Sequence, residues 1–437
     1  MATILLVCMI LGGFVIMARG RLSQEVALPI VALGALALSG APDNQTALQG
    51  GFAEFSRILL IFTAVAVPSH LLQRAHALEW VGLLLGEWVG LLIRRVGVPA
   101  WFLIPSACLS LAWAVAAGFH NTTSILVCAQ IIVVICRSYK LPALPVLSGA
   151  LIASNLGGFS SPWGDTPNII EAAVFKLRHL DFFREILLIN LALLAIVSCI
   201  VALWARRKLK NASSSNEFET VLAAFDFQRA RKQLGIDHRL LIIGFIGILG
   251  AIVGPMVFPD RELSISAIVI LTCVLLDRAN HRRDSLTALG VETYTTLAAI
   301  FVLAHVLTDT RIGVAFYVKH WLESSGMSVW SIAIASYIGT LFTEAASWAS
   351  AAAPIVYASA PSHTAAWALG AGICAGSSSL LTAATAGILL TRESKSLDQN
   401  ERVTFGSYVL FGLVMSMIML IYYIGILTLL AHRLGGR

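Results

Sequence analysis

A chain of 437 residues that is 58% hydrophobic and 12% charged, with a mean hydropathy of +0.83, lacks the polar surface that a soluble domain of this size needs. Its net charge of +6 fits basic cytoplasmic loops of a membrane protein rather than a nucleic-acid partner. No Walker A loop, nucleophile elbow or zinc ligand set is present, so ATP coupling would need a partner subunit and enzyme catalysis ranks last.

Apolar spans fall at roughly 2–17, 24–40 and 56–73. The first has no basic region before it and no small-x-small cleavage site, so it is expected to be a retained helix and not a signal peptide. Residues 79–95, EWVGLLLGEWVGLLIRR, carry charges at both ends and suit a helix lying in the membrane interface. A run over 98–136 is interrupted at Gly118 to Thr122, and a span over 143–176 is broken by SNLGGFSSPWGDTP. A clean span at 183–205 closes the first half, and the polar stretch 206–239 reads as a cytoplasmic linker. The order then repeats. Spans at 240–257, 263–277 and 292–308 lead to a partly polar stretch at 309–326. A run over 328–359 is interrupted by TEAAS, a span over 363–391 contains AGSSSLLTAATAG, and a last span covers 405–431.

These spans predict an all-α polytopic membrane protein, because about 20 apolar residues cross a bilayer as a helix. The interrupted runs 98–136 and 328–359 read as re-entrant hairpins. Counting them so leaves about ten transmembrane helices, five in each of two repeats, 1–205 and 240–437. An odd number of crossings inverts the second repeat. Placing both termini outside puts 21 of the 30 Lys and Arg residues on the cytoplasmic side, the bias that cytoplasmic loops show. The seven cysteines lie in apolar runs without a C-x-x-C pair and are expected to be small buried hydrophobes.

Helix breaks inside a bilayer survive only where the freed backbone faces protein or a water-filled cavity. Two breaks at matching depth therefore argue for a shared central site. Overlaying IASNLGGFSSPWGD on ICAGSSSLLTAATA pairs Gly158 with Ser379, Ser161 with Thr382, and Asp165 with Ala386. Asp165 is a candidate cation ligand or proton carrier, and equally a helix cap ahead of Thr166-Pro167. Asn155, Ser154 and Gly157 supply amide, hydroxyl and carbonyl oxygens, the donors a small cation needs, or else pack helices closely. Glu344 marks the tip of the second hairpin, and His120 with Asn121 the tip of the first. Ser377, Ser378 and Thr382 are candidate neutral ligands from the second break. His305 reads as a core residue, while Glu292 and Asp309 sit near helix ends where solvent accounts for them.

The segments Asn155-Leu156-Gly157-Gly158 and Gly164-Asp165-Thr166-Pro167-Asn168 resemble the ion transporter superfamily. The likeness is strongest to the arm holding ArsB arsenite pumps, NhaD sodium/proton antiporters and the melanosomal P protein. It extends in organisation over nearly the whole chain. The first hairpin tip of this arm usually reads N-D or N-N, where this chain has His120-Asn121. The second usually reads D-N or N-N, and Glu344-Ala345 stands there. The second break lacks the asparagine of the dicarboxylate branch, which weakens a carboxylate substrate. The resemblance implies a secondary transporter in a bacterial inner membrane or an organelle membrane derived from it. It implies proton or sodium as the transported ion, no cofactor, and no partner beyond the lipid bilayer and a second copy in a homodimer. Arsenite efflux is the alternative, followed by carboxylate transport or a non-transporting scaffold.

Overall fold

The structure is a computed structural model. It describes all residues except 1, 19–21, 23, 41–42, 119–120, 163, 210–227, 230, 259–260, 287–290, 310–316, 318–319, 323 and 435–437. The central part of the predicted linker and most of the stretch 309–326 thus lie outside the described residues. Every regular element described is a helix. That is the outcome lipid imposes, since a helix satisfies its backbone groups without water.

The first half contains α1 (Ala2–Ala18), α2 (Gln24–Ser39), α3 (Asp43–Arg74), α4 (Ala77–Val96), α5 (Ala100–Gly118) and α6 (Asn121–Ser138). It continues with α7 (Ala143–Phe159), α8 (Thr166–Phe175) and α9 (Leu187–Leu209), the last extended at its start by a π-turn over Phe182–Ile186. The second half contains α10 (His238–Val257), α11 (Glu262–Leu276), α12 (Val291–Asp309), α13 (Val329–Phe342) and α14 (Ala345–Ser359). It ends with α15 (His363–Ser377), α16 (Thr385–Glu393) and α17 (Phe405–Leu434).

Three stretches among the described residues are long and apolar enough to cross a membrane alone: Ala100–Gly118, Phe182–Leu209 and Phe405–Ala431. Shorter apolar helices dominate the remainder because several runs are cut in two. The arms of the first hairpin have 19 and 18 residues, against 14 and 15 in the second. By length α5 is thus a full span, a difference from the short arm expected of a re-entrant hairpin. The α3 helix begins at Asp43, well before the apolar run at 56, because DNQTALQGGFAEFSR continues the helix through polar residues. The α4 helix turns 71° away from the end of α3, and Gly97, at φ 69°, ends it by donating to the Ile93 carbonyl.

Packing follows the same plan in both halves. The α5 helix packs on α7 and α13 on α15, while α9 covers the first pair and α17 the second. The second arm of each hairpin crosses to the other half: α6 packs on α16, and α14 on α8. Beside this core, α2, α10, α11 and α12 gather around α3. Leu188 and Leu203 on α9, with Leu410, Ile421 and Leu429 on α17, stay more than half exposed. They form an outward apolar belt that lipid covers. Five cysteines are buried, but Cys8 and Cys199 are exposed. The expectation of seven buried thiols is corrected there, because an apolar run contributes an outer face as well as an inner one.

Ends that the charge count assigns to one side meet one another. Arg231 reaches Glu87 at 2.9 Å, and Arg137 donates to the Ser396 carbonyl at 3.0 Å. Arg74, at the end of α3, pairs with Asp277, at the end of α11, at 2.7 Å. On the opposite side Glu185 faces His363 at 3.5 Å. The Asp277 side chain is fully buried and also accepts from Ser285 Oγ and the Arg278 N–H, each at 2.7 Å. Burial alone would raise its carboxyl pKa, but these donors and the Arg74 charge outweigh it and hold the value below the ordinary one. The stability contributed is complete above the unfolded value of about 3.9 and is lost as pH falls through the lowered folded value. Arg74→Ala strands the carboxylate, at a cost on the order of 3 kcal/mol. The melting temperature in detergent should drop at neutral pH, and the drop should vanish in acid below the carboxylate range.

Candidate functional site

The first break is built by side chains that take up the carbonyls it frees. Ser160 N–H donates to the Gly157 carbonyl at 3.0 Å. Asn168 Nδ2 donates to the carbonyls of Gly158 and Ser161 at 2.7 and 2.8 Å. Asn190 on α9 donates to the Leu156 carbonyl at 3.1 Å and is itself held by Tyr423 OH on α17 at 2.7 Å. The chain re-enters helix at Thr166, where half-buried Asp165 caps α8 by accepting from the Thr166 N–H at 2.9 Å. At the second break Tyr408 OH donates to the Ser378 carbonyl at 2.6 Å. There Ala384 occupies the cap position of α16 with no side-chain donor or acceptor.

The two breaks touch. Asn155 Nδ2 donates to Ser378 Oγ at 3.0 Å, and Cys374 Sγ donates to the Asn155 carbonyl at 3.6 Å. The first hairpin tip joins them: Asn121 N–H donates to the Gly164 carbonyl at 2.8 Å, and Ser154 Oγ to the Asn121 carbonyl at 2.9 Å. The Asn121 amide reaches Asn155 Oδ1 at 3.5 Å and hydrogen-bonds the Asp165 carboxyl. Asn121, Ser154, Asn155, Asp165 and Ser378 therefore meet at one junction formed by both halves. Thr382 is buried with an unpartnered hydroxyl, as is Ser161 in the first break.

Other expected residues take different places. Gly157 faces α5, where a Cβ would collide with the Trp113 carbonyl, so it serves close helix approach. Ser377 Oγ donates to the Cys374 carbonyl of its own helix at 2.9 Å. His120 lies outside the described residues. Glu344 is buried and caps α14, accepting from Ala346 and Ser347 N–H at 2.8 and 3.3 Å. Asp165 and Glu344 thus stand at the starts of two helices, α8 and α14, that pack together. His305 Nδ1 lies 3.2 Å from the Phe301 carbonyl of its own helix and packs on Gly50 of α3.

The register between halves is shifted from the sequence overlay. The turn bond from Gly164 to Ser161 recurs as that from Ala383 to Leu380, and Asn168 to Asp165 recurs as Gly387 to Ala384. This spacing of 219 residues, the one that separates Asn155 from Cys374, pairs Asp165 with Ala384 and Gly157 with Gly376. The overlay ran two residues further because it matched small residues, and small residues are abundant in both segments. One consequence is chemical. Where the first half carries an amide and a carboxylate, Asn155 and Asp165, the matching positions of the second carry a thiol and a methyl, Cys374 and Ala384.

Sequence reasoning passed over Glu171. It is 0% exposed and neither carboxylate oxygen has a hydrogen-bond partner. Its signal was available, as the one acidic residue inside the half-helix TPNIIEAAVF. Asn168 closes the motif Gly164-Asp165-Thr166-Pro167-Asn168, whereas Asn190, Tyr408 and Tyr423, which also brace the breaks, carried no comparable signal, because each is an ordinary residue of an ordinary helix until the fold places it. Among the described residues no group of three His, Cys, Asp or Glu side chains converges. The junction offers amide and hydroxyl oxygens and one carboxylate, a set of hard oxygen donors.

Broken helices meeting inside a bundle whose described elements are all helical, with apolar side chains on its outside, are the build of a multi-pass membrane transporter rather than an enzyme. The chain belongs to the citrate transporter family (CitMHS), which matches residues 3–387. It is 29% identical over 367 residues to the magnetosome protein MamN of Magnetospirillum gryphiswaldense, covering 80% of this chain and 78% of that one. It is 27% identical over 350 residues to MamN of Paramagnetospirillum magneticum, covering 77% and 75%. Among solved structures, the Alcanivorax borkumensis YdaH transporter aligns over 92% of this chain and 96% of its own at 15% identity and a TM-score of 0.39.

Proposed function

We propose that this transporter exchanges protons for a small cation such as sodium, driven by ion gradients and without ATP. One observation carries the reading: a single carboxylate, Asp165, shares its junction with Asn121, Asn155, Ser154 and Ser378, and no Lys or Arg is among them. A carboxylate inside the bilayer is expensive unless a cation or a proton neutralises it, so competition between the two at one site couples their movements. Glu344, capping α14 against α8, supplies a second acidic group on the path. The two halves, related by inversion, would rock against the helices gathered around α3 to expose the site to each side in turn. We place the protein in the bacterial inner membrane or in a magnetosome membrane derived from it, in keeping with the two MamN relatives.

The family description favours a second reading, citrate. A tricarboxylate would bring its charges to Asp165 with no basic side chain at the junction to receive them, which counts against it. Arsenite efflux finds one thiol here, Cys374, and no thiol cluster. The test is dye-reported proton movement in everted vesicles. Adding sodium should release protons, in a pH-dependent manner, from vesicles carrying the wild type. Flux that answers to citrate or arsenite and ignores both sodium and pH would end the antiport reading.

A further inference from the structure

Glu171 lies further along α8 than Asp165 and takes no part in the junction. Its side chain is 0% exposed, and neither Oε1 nor Oε2 has a hydrogen-bond partner. The room it occupies is made by Gly370 on α15, where a Cβ would stand 2.6 Å from Glu171 Oε2. The ring of Phe159 closes the same space, packed edge-on against Trp367 at 6.5 Å and Tyr423 at 5.8 Å. The titratable groups on the surrounding elements are few. Asp165 begins α8 and exposed Lys176 ends it. Glu344 and Tyr357 come from α14, and His363 and Cys374 from α15. His363 faces Glu185, Tyr357 packs on Phe175, and none of these groups bonds to Glu171. Among the described residues the one charge that acts on it is that of Asp165, and it is not positive.

A carboxylate with no hydrogen-bond donor from the protein is costly to keep ionised in such a place, whereas the neutral acid sits there without an uncompensated charge. A side chain that holds a proton because of its surroundings releases it when those surroundings change. The surroundings here are set by how α8 lies on α15, and the start of α8 is the Asp165 cap that the junction holds. We propose that Glu171 is a second proton-binding residue of this transporter, loaded in the arrangement seen here and unloaded when α8 shifts on α15. The proposal rests on the antiport reading for its place in the cycle. In the unloading step the Glu171 O–H bond breaks, the proton passes to water, and a cation arriving at Asp165 replaces the positive charge that leaves.

Infrared difference spectroscopy on the full-length protein in lipid vesicles reads this group directly, through the carbonyl stretch of a protonated carboxyl. At neutral pH the wild type should show such a band, Glu171→Gln should lose it, and Asp165→Asn should keep it. Sodium should diminish the band in the wild type and leave it unchanged in Asp165→Asn. If the buried amide of glutamine costs the fold, Glu171→Met fills the same space without a polar group and should also lack the band. An unchanged spectrum in a folded Glu171 variant overturns the proposal, and so does a band that neither sodium nor alkaline pH can alter. Failure of the antiport reading shows separately, as wild-type vesicles in which sodium drives no proton movement.

Discussion

Asp165→Asn should abolish sodium-dependent proton movement while leaving the protein folded. Asparagine caps a helix about as well as aspartate, and it can accept from the Thr166 N–H as Asp165 Oδ1 does at 2.9 Å. The substitution therefore removes charge and spares structure. A cation entering the junction would then find only the amides of Asn121 and Asn155 and the hydroxyls of Ser154 and Ser378. Losing the charged partner of a buried pair costs about 3–5 kcal/mol, and each 1.4 kcal/mol is tenfold in affinity. Sodium binding should weaken on the order of 100-fold or more, as read by equilibrium binding of radioactive sodium to the purified protein. Asp165→Ala should add a loss of about 1 kcal/mol in stability, because alanine cannot cap. Sodium affinity equal to the wild type in a folded Asp165→Asn protein would remove Asp165 from the site.

The largest structural effect is expected where helix backbones touch. A Cβ at Gly157 would meet the Trp113 carbonyl and Ala116 Cβ on α5. One at Gly376 would meet Thr340 Cβ at 2.7 Å and the Tyr337 carbonyl at 2.9 Å on α13. These obstacles are backbone and first side-chain atoms, so no rotamer change relieves them, and the helices must separate. Overpacking of this kind costs about 3 kcal/mol, and separation would also pull the breaks out of register. Gly157→Val and Gly376→Val should each lower the midpoint of thermal aggregation in detergent and reduce the monodisperse fraction on size-exclusion chromatography. Gly425, in the middle of α17, has no atom near its absent Cβ. Gly425→Ala should be neutral or slightly stabilising, since alanine favours helix. Equal behaviour of all three variants would refute the close-packing account.

Much of the architecture was legible because lipid enforces a simple code of apolar runs and their interruptions. The breaks after Phe159 and Ser377 fall inside the segments SNLGGFSSPWGDTP and AGSSSLLTAATAG, where glycine, serine and proline interrupt apolar sequence. The pairing of Asn155 with Ser378 could be anticipated only as a shared depth, not as a 3.0 Å bond. Register was not legible, because Gly, Ala and Ser recur on both segments and any offset finds matches. Glu171 was not recognised for a different reason. Its isolation depends on Gly370 and Phe159, which belong to other helices, and a partner's absence cannot be read from neighbouring residues in a chain. The polar start of α3 falls outside the apolar span at 56–73, because hydropathy alone does not see a helix that continues past its apolar stretch.

A transporter whose halves were chemically equal could trade their postures and return to a state of the same energy. In this chain the trade is uneven, since Asp165 and Asn155 on one side correspond to Ala384 and Cys374 on the other. On the antiport reading both openings wet the same carboxylate, but the helix starts that part to admit water differ, one capped by Asp165 and the other at Ala384 without a side-chain cap. The two openings of the empty molecule would then differ in energy, and the lower one would be its resting posture.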